Sequence, residues 1–305
     1  KGKLLVSNFV RTFCEDNSGV MWIGTYLGLT RYNPRTGASS TFTANTQEKS
    51  LTNSSIWSII KDNQGTLWVG TYFGGVNYFN PEYEIYTQYR LQEKNRSGLS
   101  SQIVGRMTED DKGNLWICTE GGGLNIYNPH TQVFSHHNLP GTAITQNNLK
   151  AIFFDKTRRT MWVGTHLGGL DRIELSSGKS RSYRHEAGNP KSLPSDIVRD
   201  IKPHGRQLVI ATQEGVVMMD PEKETFTPLL AKEKLRIVQG LCIDRHGRLW
   251  IATESRGVYC YDFSTGKFRH YQRTQAKGSL SCNNINNVMT DRQGRIWLST
   301  ANDGI

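Results

Sequence analysis

The sequence has no long apolar run. Nowhere in its 305 residues is there a stretch of the roughly 18–20 apolar residues that a membrane-spanning helix needs. The first residues do not read as a secretory signal. Cysteine is scarce. Cys14, Cys118, Cys242, Cys260 and Cys282 include no CxxC pair with metal-ligand spacing. An odd count leaves at least one thiol unpaired within the chain, and the five read as small buried apolar residues. Acidic residues are outnumbered, 27 against 37 Lys and Arg, for a formal charge of +10. A basic surface favours anionic partners. The positive charges are spread through many loops, and no basic-aromatic stripe of a nucleic-acid binder is present. No catalytic constellation is visible either.

What the chain does have is repetition. The phrase apolar, Trp, apolar, small, Thr recurs seven times. It reads MWIGT at Met21–Thr25, LWVGT at Leu67–Thr71, LWICT at Leu115–Thr119 and MWVGT at Met161–Thr165. It continues as LVIAT at Leu208–Thr212, LWIAT at Leu249–Thr253 and IWLST at Ile296–Thr300. The Trp slot advances by 46, 48, 46, 47, 41 and 47 residues. A period in the forties built from short strands predicts an all-β fold, a seven-bladed β-propeller of four-stranded antiparallel blades. Residues 1–305 then make one propeller domain, with six full repeats and half of a seventh.

The second repeat shows the pattern most clearly. A polar loop from Ser50-Leu51 to Ser55 leads into a strand at Ile56–Ile60. Asp62-Asn63-Gln64-Gly65 is a turn, with Asp bonding forward to backbone N–H groups and Gly free to take φ > 0. Strands follow at Leu67–Thr71, Val76–Phe79 and Ile85–Tyr89, the third stopped by Asn80-Pro81. The turn recurs at Asp16…Gly19, Asp110…Gly113, Asp244…Gly247 and Asp291…Gly294. Asp155 lacks its Gly, and the fifth repeat shortens the turn to Pro203-His204-Gly205. One carboxylate per turn is too few for calcium, which needs several oxygens from one segment. The repeated Trp reads as packing between blades. Lys1–Phe9 aligns with the polar loop before a first strand, and the native protein is expected to continue past Ile305.

The block Ile56–Thr71 resembles the two-component regulator propeller repeat, as do Phe9–Tyr32 and Ile285–Ile305, and the Ser-Leu pair recurs at 50–51, 192–193 and 279–280. The resemblance covers essentially the whole chain and is weakest in the fifth repeat. It implies the periplasmic sensor part of a hybrid two-component system of gut Bacteroidetes, in which paired propellers precede a membrane helix, a histidine kinase and a DNA-binding regulator. It implies an oligosaccharide ligand, control of polysaccharide-utilisation genes and a homodimer. Membrane contact would come only through segments outside this chain. No cofactor, metal or nucleic acid is expected.

Two sets of positions are expected to meet at one end of the propeller. The residue after each motif Thr is Tyr26, Tyr72, Glu120, His166, Gln213, Glu254 or Ala301. One residue into each first strand stands Arg11, Trp57, Gly105, Lys150, Arg199, Gln239 or Asn286. Both sets vary while the frame repeats, which is where a scaffold carries specificity. Trp57, Tyr26 and Tyr72 suit stacking on sugar faces, or packing. Arg11, Lys150 and Arg199 suit carboxylate or sulfate, or pairing with the protein's own acids. Gln213, Gln239 and Asn286 suit hydroxyls, His166 suits either, and Glu120 and Glu254 also read as ordinary loop charges. The leading expectation is a non-enzymatic sensor for an oligosaccharide, with an acidic, glycosaminoglycan-like one favoured by the +10 charge. The alternatives are a propeller glycan hydrolase or lyase, the latter using His166 with Glu120, and a protein-interaction platform.

Overall fold

A computed structural model describes residues 5–45, 50–80, 85–91, 98–137 and 144–305. The expectations for Lys1–Leu4 and for Pro81 lie outside the described residues. The strands follow the repeats. Blade 1 is β1 (Val10–Glu15), β2 (Met21–Thr25), β3 (Leu29–Tyr32) and β4 (Ser39–Phe42). Blade 2 is β5 (Ile56–Lys61), β6 (Leu67–Thr71), β7 (Val76–Asn80) and β8 (Ile85–Tyr89). Blade 3 is β9 (Val104–Glu109), β10 (Leu115–Thr119), β11 (Leu124–Asn128) and β12 (Val133–His137). Blade 4 is β13 (Leu149–Asp155), β14 (Thr160–Thr165), β15 (Leu170–Glu174) and β16 (Ser180–Tyr183). Blade 5 is β17 (Val198–His204), β18 (Gln207–Thr212), β19 (Gly215–Asp220) and β20 (Thr225–Leu229). Blade 6 is β21 (Val238–Ile243), β22 (Arg248–Thr253), β23 (Val258–Asp262) and β24 (Phe268–Tyr271). A last sheet holds only β25 (Ile285–Thr290) and β26 (Ile296–Thr300).

The seven-bladed description is therefore corrected to six four-stranded blades and a small two-stranded seventh sheet. The fifth repeat also departs from expectation. Pro203 pairs with Leu208 and His204 with Gln207, so the turn is Gly205-Arg206 and the strand runs on through the proline. By internal contacts the chain divides into two compact units. One comprises Lys1–Thr142 with Asn147–Leu149 and Gly304; the other comprises Ala143–Gln146, Lys150–Asp303 and Ile305.

Within each unit the motif residues explain the packing. In the first, Trp22, Leu29, Leu51, Ile56, Leu67 and Phe79 form a buried cluster between blades 1 and 2. The small slot exists because the next blade sits on it. A Cβ at Gly24 would fall 2.6 Å from Ile56, and one at Gly70 would fall 2.7 Å from Val104. In the second unit, Gly164 meets Val198 at 2.6 Å in the same way. Each stack of blades removes apolar surface from water, the dominant favourable term in folding.

The turn Asp is a frame residue. Asp16 Oδ1 accepts from the backbone N–H groups of Ser18 and Val20, while Oδ2 accepts from Trp22 Nε1 at 2.9 Å. The same indole bond forms at Asp62–Trp68, Asp110–Trp116, Asp244–Trp250 and Asp291–Trp297. These carboxylates accept from the turn N–H groups and the indole. All five cysteines are free thiols. Burial pushes Cys118 up, and Cys242 up to about 11.

Candidate functional site

The motif Thr closes the loop between the second and third strands. Thr71 is buried, donates from Oγ1 to the Gly75 carbonyl and accepts the Gly74 N–H. Thr25, Thr119, Thr165, Thr212 and Thr253 make the equivalent bond to a loop glycine carbonyl. Gly75 must be glycine: its φ is +76° and a Cβ would fall 2.2 Å from the Tyr89 carbonyl oxygen.

In six of the seven repeats the residue after the Thr reaches back to the residue just before its blade's first strand. Tyr26 N–H donates to Phe9 O, Tyr72 to Ser55, Glu120 to Ile103, Gln213 to Ile197, Glu254 to Ile237 and Ala301 to Asn284. The other candidate set has a structural identity that sequence reading missed. In blade 1 Val10 pairs with Thr25 and Thr12 with Gly24, so Arg11 is the extra residue of a β-bulge. The same register shift falls at Trp57, Arg199, Gln239 and Asn286, and beside Gly105 in blade 3. A bulged residue leaves the ladder and its side chain is re-aimed. Both candidate sets thus lie at the loop end of their own blades. Lys150 is the second residue of β13, and His166 bridges to Ile197.

The candidates group into two clusters, one in each unit. In the first, the Arg11 guanidinium carbon lies 4.5 Å from the Trp57 ring centroid, 5.1 Å from Tyr26, 5.3 Å from Phe9 and 5.7 Å from Tyr72. All four lie within cation–π reach. Trp57 stacks on Tyr72 at 5.6 Å, and Phe73 meets Tyr72 edge-on at 4.4 Å. Arg11 Nη1 donates to Ser55 Oγ at 2.8 Å. Burial lowers the Arg11 pKa, yet a guanidinium stays charged. The rings are not sealed in: Tyr26 is 51% exposed and Phe73 is 55% exposed. An ordered cation walled by half-open aromatic faces can hold an oxyanion and stack the apolar face of a ring at once. Phe9, Ser55 and Phe73 were not anticipated. Phe73 could have been found as the neighbour of Tyr72, but Phe9 becomes visible only once the bulge places Arg11 over it.

The second cluster is built differently. Arg199 donates from Nε and Nη2 to Gln213 Oε1, at 3.1 and 2.7 Å, and from Nη1 to Gln239 Oε1 at 3.1 Å. Burial lowers the Arg199 pKa, and Glu254 opposes that shift. This guanidinium is oriented by the protein's own amides, with the Glu254 carboxylate favouring its charge. Glu120 keeps the equivalent backbone bond and Asn286 the equivalent bulge of their own blades, whereas His166 bridges to Ile197.

The blades, their Asp–Trp turns and the bulged loop ends define a β-propeller repeat protein. The profile described as "Two component regulator propeller" matches residues 4–27, 50–73, 98–121, 234–255 and 279–302, so the chain carries five stretches similar to that repeat. Among solved structures it is similar to the extracellular domain of BT3049 from B. thetaiotaomicron, a proposed hybrid two component system, with TM-score 0.87 and 22% identity. That match covers 98% of this chain and 40% of the other. It is also similar to the extracellular domain of BT4673 from the same organism, a proposed one component system, with TM-score 0.62 and 19% identity, over 95% of this chain and 51% of the other. Virginiamycin B lyase from Staphylococcus aureus shares the fold, with TM-score 0.72 and 14% identity, over 99% of this chain and 95% of that one. No curated protein matches the chain in sequence. The chain thus spans about half or less of the two extracellular domains it resembles.

Proposed function

We propose that this chain is the ligand-sensing propeller of a hybrid two-component signalling protein. It works outside the cytoplasm, in the periplasm, and binds an oligosaccharide to control polysaccharide-utilisation genes as a homodimer. The matched repeat segments and the likeness to extracellular domains support the sensor reading. The observation that carries the ligand reading is the Arg11 guanidinium among Phe9, Tyr26, Trp57 and Tyr72. Aromatic faces stack on sugar rings, and a guanidinium adds a carboxylate or sulfate contact, so an acidic sugar unit fits this end of blades 1 and 2 best.

Calorimetry of the purified chain against neutral and acidic oligosaccharides tests this. Binding is expected for an acidic oligosaccharide, weakened tenfold or more by Trp57→Ala, a loss of about 1.4 kcal/mol. Heat from neutral glycans alone removes the acidic assignment, and heat from peptides alone replaces the sugar reading with a protein-interaction platform. The lyase or hydrolase reading requires glycan turnover that His166→Ala or Glu120→Ala abolishes.

A further inference from the structure

In blades 2, 3 and 4 the second residue of the third strand bonds the polar loop that precedes its blade. In blades 2 and 3 it is an asparagine, buried and neutral. Asn125 Oδ1 accepts the Ser100 N–H and its Nδ2 donates to Ser100 Oγ, both at 2.8 Å. Asn77 makes the same pair of bonds to Thr52, at 2.9 and 2.8 Å. Because the amide donates to it, the Ser100 hydroxyl is free to give its one proton to the Gly122 carbonyl, at 2.7 Å. That bond clasps the loop that follows the motif Thr.

Blade 4 replaces the amide by an acid. Asp171 is fully buried, and its Oδ2 accepts both the Thr145 N–H at 2.8 Å and the Thr145 hydroxyl at 3.0 Å. Its Oδ1 accepts from Ser182 Oγ at 2.7 Å. The loop hydroxyl keeps its place in all three blades: a Cβ on Gly74, Gly122 or Gly168 would fall 2.5 Å from it. A carboxylate, however, has no proton to offer. Thr145 Oγ1 therefore faces two acceptors, Asp171 Oδ2 and the Gly168 carbonyl at 3.2 Å, with one proton to give. The charged acceptor makes the stronger bond, so the loop carbonyl goes short. A proton on Oδ2 changes the count. The acid then donates to Thr145 Oγ1 as the asparagines do to their hydroxyls, and the Thr145 proton is released to Gly168.

We propose that Asp171 is a proton-operated clasp on the 166–169 loop, closed when the acid is protonated and slack when it is ionised. Burial raises the Asp171 pKa above its ordinary value, against its three hydrogen bonds and the pull of Arg184. Arg184 is itself held by Asp196 at 3.0 Å and donates to the Leu167 carbonyl at 2.9 Å. Across from Asp171, β14 places Val163 and β16 places Ser182, and the loop before β13 brings Thr145, all uncharged. His166 is the other titratable group on the loop. The clasp sets how firmly His166 and the exposed Leu167 are presented, and it lies in the second unit, apart from the Arg11 cluster.

The test is hydrogen exchange of the 165–169 amides in the full chain, expressed as protection relative to the unstructured rate at each pH. Between about pH 7.5 and about pH 4.5, wild-type protection is expected to rise about threefold or more. Asp171→Asn should hold the loop protected at both pH values, and Thr145→Val should leave it poorly protected at both. A raised folded pKa makes the buried charge a cost that appears as pH rises through it, so Asp171→Asn should also melt above wild type at neutral pH, by a margin that shrinks towards acid. If either variant does not fold, Asn125→Asp carries the test, and should bring the same pH response to the 120–123 loop. Protection that does not change with pH in wild type would overturn the proposal. So would a response that survives in Asp171→Asn, which would assign it to His166, or one that survives in Thr145→Val.

Discussion

Replacing Asp244 by Asn would test whether the turn carboxylate locks each blade through its tryptophan. Asp244 Oδ1 accepts from the backbone N–H groups of His246 and Arg248. Oδ2 accepts from Trp250 Nε1 at 2.9 Å and Arg248 Nε at 2.8 Å. Burial works against the charge, but these bonds outweigh it and hold the carboxyl at about 2, below its ordinary 3.8. That difference corresponds to about 2 kcal/mol of stability at neutral pH. Its folded pKa is depressed, so the contribution is complete above about pH 4 and is lost as pH falls towards 2. An Asn side chain turns an NH2 towards the indole and guanidinium, leaving donors facing donors, which adds about 1–2 kcal/mol. Asp244→Asn should therefore cost about 2–4 kcal/mol in urea denaturation followed by circular dichroism at pH 7, and much less at pH 2.5.

Trp250→Phe completes a double-mutant cycle, with an expected coupling of about 1–2 kcal/mol. Blade 4 supplies the control. There Asp155 bonds Arg158 instead, and Trp162 Nε1 is buried with no hydrogen-bond partner among the described residues. Asp155→Asn and Trp162→Phe should add within about 0.5 kcal/mol. Additive effects at 244 and 250, or equal coupling in both blades, would refute the argument.

Gly75→Ala should abolish soluble folding, because its Cβ collides with the Tyr89 carbonyl, whereas Gly121→Ala, at φ +79° with nothing within 4 Å, should cost only about 1–2 kcal/mol of backbone strain; thermal melts of both distinguish collision from strain. Leu167 holds φ +84° with its side chain 54% exposed, so Leu167→Gly is expected to raise stability by up to about 1 kcal/mol, and a lower melting temperature would show that the side chain packs. Arg199→Gln should lower stability, by loss of its amide bonds, yet leave oligosaccharide affinity unchanged in calorimetry; a tenfold loss would move the site to the second unit.

Blade boundaries were legible because packing between blades admits few residues at the Trp and small slots, so Trp22 and Gly24 recur as Trp68 and Gly70. The Thr was legible as a marker, but its bond to the loop glycine was not. The bulge was missed because the second buried position it adds in β1 and β5 is filled by Thr12 and Ser58, which carry no apolar signal. The grouping of Arg11 with Trp57 and Tyr72 depends on two blades meeting side by side, which no single repeat encodes. The fifth turn was misplaced because Pro203 reads as a stop, although it pairs with Leu208 in β17. Charge was misread by totals: +10 suggested an acidic ligand, yet residues 1–149, which hold the aromatic cluster, carry only +1. The case for an acidic ligand therefore rests on Arg11 itself.

The most direct measurement is calorimetry of one acidic oligosaccharide against wild type, Arg11→Gln and Trp57→Ala, each checked for folding. Both variants are predicted to bind at least tenfold more weakly, and Arg11→Gln is predicted to lose the preference for acidic over neutral sugar. Unchanged affinity in both folded variants would contradict the claim that the loop end of blades 1 and 2 is the sensing site.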